Sequence, residues 1–171
     1  IIMKNKKMIE SFLCFIKNEK KFSSHTVRSY KFDLFEFNDF LSQYDASLKF
    51  MDIDKSAIQF FIQSASKKGC ADKTLQRKVS SIKSFYRYLV EYKHISYNVS
   101  DLIQIPKASK LLPNILSKKE INNLMKLPDL SQYSGKRDRS ILEIFYSTGV
   151  RISELSQMKI SNIHLDKKII K

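Results

Sequence analysis

Residues that bend, cross-link or interrupt a chain are scarce in this sequence. Its 171 residues include three glycines, three prolines and two cysteines, and there is no tryptophan. A chain with so few breaks is predicted to be mostly helical. Cys14 and Cys70 form neither a metal-binding spacing nor a disulfide framework, so we expect a protein of the reducing cytoplasm. No apolar run approaches the roughly 18 residues of a membrane span, which argues against a membrane protein.

Motifs of metal and nucleotide chemistry are also missing. His25, His94 and His164 are dispersed, and none stands at ligand spacing to another histidine, cysteine or carboxylate. No glycine-rich loop is available to hold the phosphates of a nucleotide. We therefore expect neither a metal ion nor a cofactor. The three histidines are interpreted as ordinary surface or capping residues.

Acidic residues are outnumbered by basic ones. The chain has 31 lysines and arginines against 17 aspartates and glutamates, which gives a net charge of +14 and a pI near 9.7. An AT-rich genome enriches lysine, isoleucine and asparagine, but it does not require a two-to-one excess of bases over acids. Such an excess favours a polyanionic partner, most often nucleic acid. A membrane surface is disfavoured because no helix has a solid basic face opposite a Trp/Leu face.

Four amphipathic helices are predicted in the first 100 residues. Ser23 and Ser24 are expected to supply the cap of the second helix and Asp54 that of the third, while Gly69 closes the third and Asp72 opens the fourth. The second helix has the clearest spacing of apolar residues by threes and fours: Val27, Tyr30, Leu34, Phe37, Leu41 and Tyr44. Four such helices with short connections make a bundle.

The regular spacing lapses near residue 100, where Pro106 and Pro113 mark an extended linker. We therefore expect a helical bundle at 1–100, a linker at 101–116 and a second unit at 117–171. The second unit opens with a capping box formed by Ser117 and Glu120. A helix at 137–148, a short helix to about residue 158 and the start of a β-hairpin are predicted to follow.

The fourth helix carries the strongest signal for nucleic-acid binding. Its polar positions combine cations for phosphates with hydroxyls that bond phosphate oxygens or base edges. We predict that these side chains lie on the surface and bind DNA: Lys73, Thr74, Arg77, Lys78, Ser81, Ser84 and Arg87. The simpler interpretation is a solvated basic face of an ordinary helix.

A second candidate site lies at the end of the 137–148 helix. Gly149 is suited to end that helix, because only glycine enters the left-handed conformation without a Cβ penalty. Arg151 then stands at the mouth of the next helix, and Glu154 follows three positions later, where the two side chains can face each other. The simpler interpretation is again local, an ion pair that stabilises the turn.

Four stretches of this sequence resemble the tyrosine site-specific recombinases, especially those of the Xer type. Residues 146–155 (YSTGVRISEL) look like the segment that carries the first catalytic arginine of that family. Residues 73–89 are very similar to the fourth helix of its core-binding domain, and Ser24, Thr26, Tyr30 and Phe37 match its second helix. The linker prolines and residues 116–121 match the passage into its catalytic domain, so the resemblance covers nearly the whole chain.

The resemblance implies a mainly α fold, with a four-helix, SAM-like core-binding bundle followed by the start of the α-rich catalytic domain. In that family the two domains clamp double-stranded DNA, on which the recombinase subunits assemble as a tetramer. A tyrosine attacks the scissile phosphate and forms a 3′-phosphotyrosyl link. Strand cleavage and rejoining therefore need no metal or nucleotide, because the link conserves the phosphodiester energy.

By the same resemblance, Arg151 is the first catalytic arginine and Glu154 is its supporting carboxylate. The remaining catalytic residues of the family follow at positions beyond residue 171, and none of the eight tyrosines follows Arg151. We therefore expect an N-terminal fragment of an enzyme, truncated at its C-terminus, that binds DNA without cleaving it.

Two positions depart from the family pattern and leave the subgroup open: Val99 replaces a usual proline, and Asn162 replaces a usual aspartate. The Xer interpretation predicts site-specific recombination such as the resolution of chromosome dimers for segregation at cell division. The first alternative is a phage or mobile-element integrase of the same superfamily. The second, from a different class, is a helical DNA-binding or adaptor protein without catalysis.

Overall fold

The computed structural model of the chain describes residues 2–45, 47–104, 114–164 and 166–170. The chain divides into two compact units, Ile1–Leu111 and Leu112–Lys171. Most of the predicted linker, residues 105–113 with Pro106 and Pro113, lies outside the described residues. Among the helices that are described, none is both long enough and apolar enough to cross a membrane.

The first unit is the predicted bundle of four helices. They are α1 (Ile2–Asn18), α2 (Ser24–Tyr44), α3 (Lys55–Lys67) and α4 (Asp72–Glu91), followed by a short 3-10 helix, Val99–Leu102. The expected caps form, because Ser23 Oγ accepts from Thr26 N at 3.2 Å and Asp54 Oδ1 accepts from Ala57 N at 3.0 Å. The mainly α prediction is confirmed in this unit.

The core of the bundle is built mostly from aromatic and branched side chains at the predicted positions. Phe85 of α4 lies near its centre, with ring centroids 5.4 Å from Phe12 of α1 and 5.0 Å from Phe50. Tyr44, in contrast, is 71% exposed although it continues the apolar spacing of α2, which ends at this residue. Buried side chains from all four helices complete the core: Ile9, Ile16, Leu34, Phe37, Ile58, Phe61, Ile82 and Leu89.

Buried polar groups tie the segment between α2 and α3 to the core. Asn5 Nδ2 of α1 donates to Leu48 O at 3.1 Å, and Asn5 Oδ1 accepts from Phe50 N at 3.4 Å. The hydroxyl of Tyr86 on α4 donates to Phe50 O at 3.0 Å. Burial raises the pKa of Tyr86, so its hydroxyl keeps the proton that it donates. These bonds satisfy backbone groups that would otherwise be buried without a partner.

The second unit is also mainly helical and ends in a small hairpin. Its helices are α5 (Lys118–Lys126), α6 (Tyr133–Thr148) and α7 (Ile152–Gln157), and a 3-10 helix, Ile160–Asn162, leads into β1 (Ile163–His164) and β2 (Ile169–Ile170). The two strands pair antiparallel, with Ile163 opposite Ile170. The predicted capping box is present, since Ser117 N donates to Glu120 Oε2 at 2.7 Å and Glu120 N donates to Ser117 Oγ at 3.3 Å. Helix α6 begins four residues before the predicted start at residue 137.

A close backbone approach at Gly135 joins α6 to the segment before it. Gly135 is buried, and a Cβ atom on it would lie 1.9 Å from the carbonyl oxygen of Asp129. Arg139 of α6 adds a second connection, because its Nη1 donates to the carbonyl oxygen of Met125 in α5. Glycine is therefore required at residue 135 for lack of space rather than for its backbone angles.

We predict that Gly135→Ala destabilises α6 by about 3 kcal/mol, because the added methyl group displaces the backbone of Asp129. The measurement is amide hydrogen exchange of peptides from 133–148 in the full chain. Ser134→Ala, at an exposed neighbouring position, is the control and leaves exchange within about 0.5 kcal/mol of the parent. Equal protection in the two variants would contradict the close approach.

Candidate nucleic-acid interface

The exposed face of α4 carries a stripe of polar and basic side chains. At about 100° per residue, Lys73, Arg77, Ser84 and Arg87 fall within an arc of roughly 80°. Lys73 and Arg87 are exposed, and Arg77 and Ser84 are half-buried. From Lys73 to Arg87 the helix rises about 21 Å. We call these four residues the α4 stripe, and the half-buried Thr74 lies at its edge.

The predicted surface positions of Lys78 and Ser81 are wrong. The side chain of Lys78 is 2% exposed and Ser81 is fully buried. Lys78 comes three residues after Leu75 and four before Ile82, so it shares their core-facing side of the helix. Ser81 Oγ donates to the carbonyl oxygen of Lys78 at 2.9 Å. Both residues therefore belong to the packing of α4 against the bundle rather than to its surface.

Lys78 is part of a cluster of charges between α2 and α4. Its Nζ donates to Glu36 and lies 3.7 Å from Asp33 Oδ1, and it faces the rings of Phe32 and Phe61. We call Asp33, Glu36, Arg77 and Lys78 the buried charge cluster. Lysine is rarely buried without a partner, and here two carboxylates and two aromatic faces surround its ammonium group.

Asp33 is the innermost member of the buried charge cluster. Its side chain is fully buried, and its Oδ2 accepts from Arg77 Nη1 at 2.5 Å. Oδ1 has no hydrogen-bond donor among the described residues. Burial raises the pKa of Asp33, and the nearby charges of Arg77 and Lys78 act in the opposite direction. The two cations thus offset part of the cost of taking this carboxylate out of water.

Sequence reasoning missed Asp33, although a signal was available. Asp33 lies three residues after Tyr30 and four before Phe37, so it continues the apolar spacing of α2. A carboxylate at such a position is buried and needs a cationic partner. Its partner Arg77 lies 44 residues away in the sequence, and the spacing within one helix gives no information about that pairing.

The second candidate site is the turn between α6 and α7. Gly149 ends α6 with a left-handed backbone, φ +66° and ψ 18°, and its N–H donates to Phe145 O at 2.9 Å. Thr148 Oγ1 accepts from Val150 N at 3.3 Å. Arg151 then takes the N-cap position of α7. The predicted role of Gly149 as the residue that ends this helix is confirmed.

The carboxylate of Glu154 holds Arg151 at two points. Glu154 Oε2 accepts from Arg151 N and Oε1 accepts from Arg151 Nη1, both at 2.9 Å. These hydrogen bonds lower the pKa of Glu154, and the bond from the backbone N–H has the largest effect. The Arg151 side chain is 82% exposed, so most of the five N–H donors of its guanidinium face solvent. The expected local ion pair therefore forms and leaves the arginine open to an anion such as phosphate.

Two family models match these two units in turn. Residues 9–93 match "Phage integrase, N-terminal SAM-like domain", and residues 114–171 match "Phage integrase family". The chain belongs to the phage integrase family. This is the family of the tyrosine recombinases, as the sequence motifs predicted. The first match contains the α4 stripe and the buried charge cluster, and the second contains Arg151 and Glu154.

Individual relatives agree with the family assignment. The chain is 35% identical to tyrosine recombinase XerD of Staphylococcus aureus strain COL over 159 residues, 92% of this chain and 53% of that protein. It is 35% identical to XerD of Staphylococcus saprophyticus over 165 residues, 96% of this chain and 55% of that one. The chain thus spans about half the length of the curated relatives it matches.

Solved structures show the same fold. The Tn1549 transposon integrase in complex with circular intermediate DNA superposes with a TM-score of 0.69 and 17% identity, over 95% of this chain and 52% of that one. A lambda integrase dimer bound to a COC′ core site gives a TM-score of 0.68 and 17% identity, over 93% and 43%. Among the residues that the structure describes, no group of acidic, histidine and cysteine side chains is arranged to hold a metal ion.

We predict that Lys78→Ala destabilises the first unit by about 3–5 kcal/mol, because it removes one partner of a buried ion pair together with the contacts of its ammonium group with the rings of Phe32 and Phe61. Urea unfolding followed by circular dichroism measures the change. Lys73→Ala, an exposed lysine of the same helix, is the matched control and stays within about 0.5 kcal/mol. If the Lys78 variant were as stable as the Lys73 variant, the buried ion pair of Lys78 would be contradicted.

Proposed function

We propose that this chain forms part of a Xer-like tyrosine recombinase that cuts and rejoins double-stranded DNA at specific sites. The observation that carries the proposal is the Arg151 turn. Its guanidinium is exposed, and Glu154 accepts hydrogen bonds from both the backbone N–H and Nη1 of Arg151. It lies in the region matched by the integrase family, and the chain is 35% identical to XerD over most of its length. Because the proposed substrate is DNA, we propose that the protein acts in the cytoplasm.

The first unit, which contains the predicted bundle at 1–100, is proposed to bind the duplex through the α4 stripe. Lys73, Arg77 and Arg87 supply charge for phosphates, and Thr74 and Ser84 supply hydroxyl groups. The major groove of B-DNA is about 12 Å wide and accepts an α-helix. A net charge of +14 on the chain supports association with a polyanion and predicts strong dependence on salt.

The second unit, which contains the predicted domain at 117–171, is proposed to contribute the first catalytic arginine. Arg151 would bind two oxygens of the scissile phosphate and stabilise the charge that develops when five oxygens surround phosphorus. Glu154 would hold the guanidinium during this step. Attack by a tyrosine oxygen forms the 3′-phosphotyrosyl bond and releases the 5′-hydroxyl group, which later attacks the same bond to rejoin a strand.

In the family the nucleophile follows the first arginine, so we assign this role to none of the eight tyrosines of this sequence. Cleavage is therefore proposed for a protein of the length of the curated relatives, acting as a tetramer on DNA. The 171 residues are proposed to bind DNA without reacting. Resolution of chromosome dimers for segregation at cell division is the biological role that similarity to XerD favours. An integrase of a phage or mobile element is the second candidate, because the fold is shared with the Tn1549 and lambda integrases.

We predict that replacing both Lys73 and Arg87 by alanine weakens duplex binding and lowers the slope of log K against log salt by about two, since roughly one counterion is released for each phosphate contact. Fluorescence anisotropy with a labelled duplex at several salt concentrations measures both quantities. The control replaces the exposed Lys7 and Lys17 of α1 by alanine, which removes the same charge from another helix. If both double variants lost the same affinity and slope, the α4 stripe would have no special role.

We expect replacement of Arg151 to reduce strand cleavage without reducing the affinity for duplex DNA. In a protein that contains this chain and has the length of the curated relatives, Arg151→Ala keeps duplex affinity and lowers formation of the covalent protein–DNA adduct by several powers of ten. Arg151→Lys rescues the reaction poorly, because an ammonium group lacks the planar two-point geometry. A nicked suicide duplex followed by a denaturing gel reveals the adduct. Parent-level adduct from the alanine variant would leave Arg151 as a structural partner of Glu154 only.

A further inference from the structure

Arg77 differs from the other cations of the α4 stripe. Among the described residues, it alone in the stripe forms an ion pair, through Nη1 and Asp33 Oδ2 at 2.5 Å. The same Nη1 donates to the carbonyl oxygen of Ser29 at 3.3 Å. Ser29 and Asp33 lie one turn apart on α2, so two acceptors of one helix face hold one nitrogen of the guanidinium.

The hold on Nη1 fixes the orientation of the whole guanidinium, because the group is planar and rigid. Its Nε and Nη2 groups have no protein acceptor among the described residues, and 36% of the side chain is exposed. Arg77 lies one turn after Lys73 on α4, within the arc of the α4 stripe. A planar edge with two parallel N–H groups matches the geometry of two phosphate oxygens.

Asp33 is itself unable to move far. It is fully buried, and on its other side Lys78 Nζ lies 3.7 Å from Oδ1 while binding Glu36. The Phe32 and Phe61 rings, at 5.8 and 5.7 Å, confine the Lys78 ammonium group. An exposed carboxylate would let a long arginine side chain rotate freely, whereas this one holds it from within the bundle.

We infer that Asp33 is a positioning residue for DNA binding: it orients Arg77 so that the Nε–Nη2 edge is ready to bind a phosphate of the duplex. The inference rests on the proposed function and adds to it a residue that does not touch DNA. The positioning strengthens DNA binding through entropy, because the Arg77 side chain is ordered before binding rather than during it.

Removal of Asp33 has two opposing effects on affinity. It frees Arg77, which weakens binding by about three- to tenfold, the usual cost of ordering one long side chain. It also removes a negative charge, which strengthens attraction to a polyanion. Glu36→Gln removes the same charge one turn later on α2, where the carboxylate binds Lys78 and not Arg77. It is therefore the matched control for the charge.

The experiment measures binding of the full chain to a fluorescein-labelled duplex of random sequence by anisotropy over a salt series, with thermal melting to verify that each variant is folded. We expect Asp33→Asn to bind about three- to tenfold more weakly than Glu36→Gln, with a smaller salt slope. In an Arg77→Ala background, Asp33→Asn should change affinity less than twofold. A structural Asp33 would instead weaken both backgrounds equally, and that result overturns the inference.

Arg77→Lys provides a test that leaves Asp33 in place, should Asp33→Asn fold poorly. A lysine has one ammonium group and cannot bind Asp33 and present a planar edge to phosphate together, so its affinity should fall as far as that of Arg77→Ala. Parent affinity of the lysine variant overturns the positioning role. If the parent chain does not bind duplex DNA, the proposed function fails as well. If Arg77→Ala weakens binding and Asp33→Asn matches Glu36→Gln, only the positioning role fails.

Discussion

Burial of the apolar face of α4 is the constraint from which the first unit is built. Phe85 packs edge-on against Phe12 and Phe50, with centroids 5.4 and 5.0 Å away, and each buried ring contributes about 1.5–3 kcal/mol. A helix has a fixed angular repeat, so a face held in the core also fixes the direction of the opposite face. The α4 stripe is thus oriented by hydrophobic packing rather than by interactions of its own.

The buried charge cluster connects this core to the surface. Desolvation of Asp33 is costly, and burial raises its pKa although two cations lie beside it. Buried ion pairs contribute little net stability on average, because the desolvation cost cancels most of the attraction. We interpret the cluster as a geometric device that fixes α2 against α4 and holds Nη1 of Arg77. Hydrophobic side chains of similar volume would fill the space without providing that orientation.

The Arg151 turn follows a different principle, since its geometry is made entirely by neighbours in sequence. Gly149 ends α6 with a positive φ, and Glu154 accepts from the backbone and side chain of Arg151 three residues earlier. In the described ranges, the hydrogen bonds of Arg151 all join it to residues close by in the sequence. The residues that form this turn lie close together in the sequence, which is why the motif at 146–155 was informative.

Features with local causes were readable from the sequence: the four amphipathic helices, the caps at Ser23, Asp54 and Ser117, and the pair of Arg151 with Glu154. Hydrophobic periodicity and capping act over three or four residues, and so they leave a pattern in the chain. The burial of Lys78, the role of Asp33 beside Arg77 and the need for glycine at residue 135 arose from contacts between segments. Spacing within a helix gives the direction of a side chain but not the partner it meets there, because that partner is selected by the packing of the whole bundle.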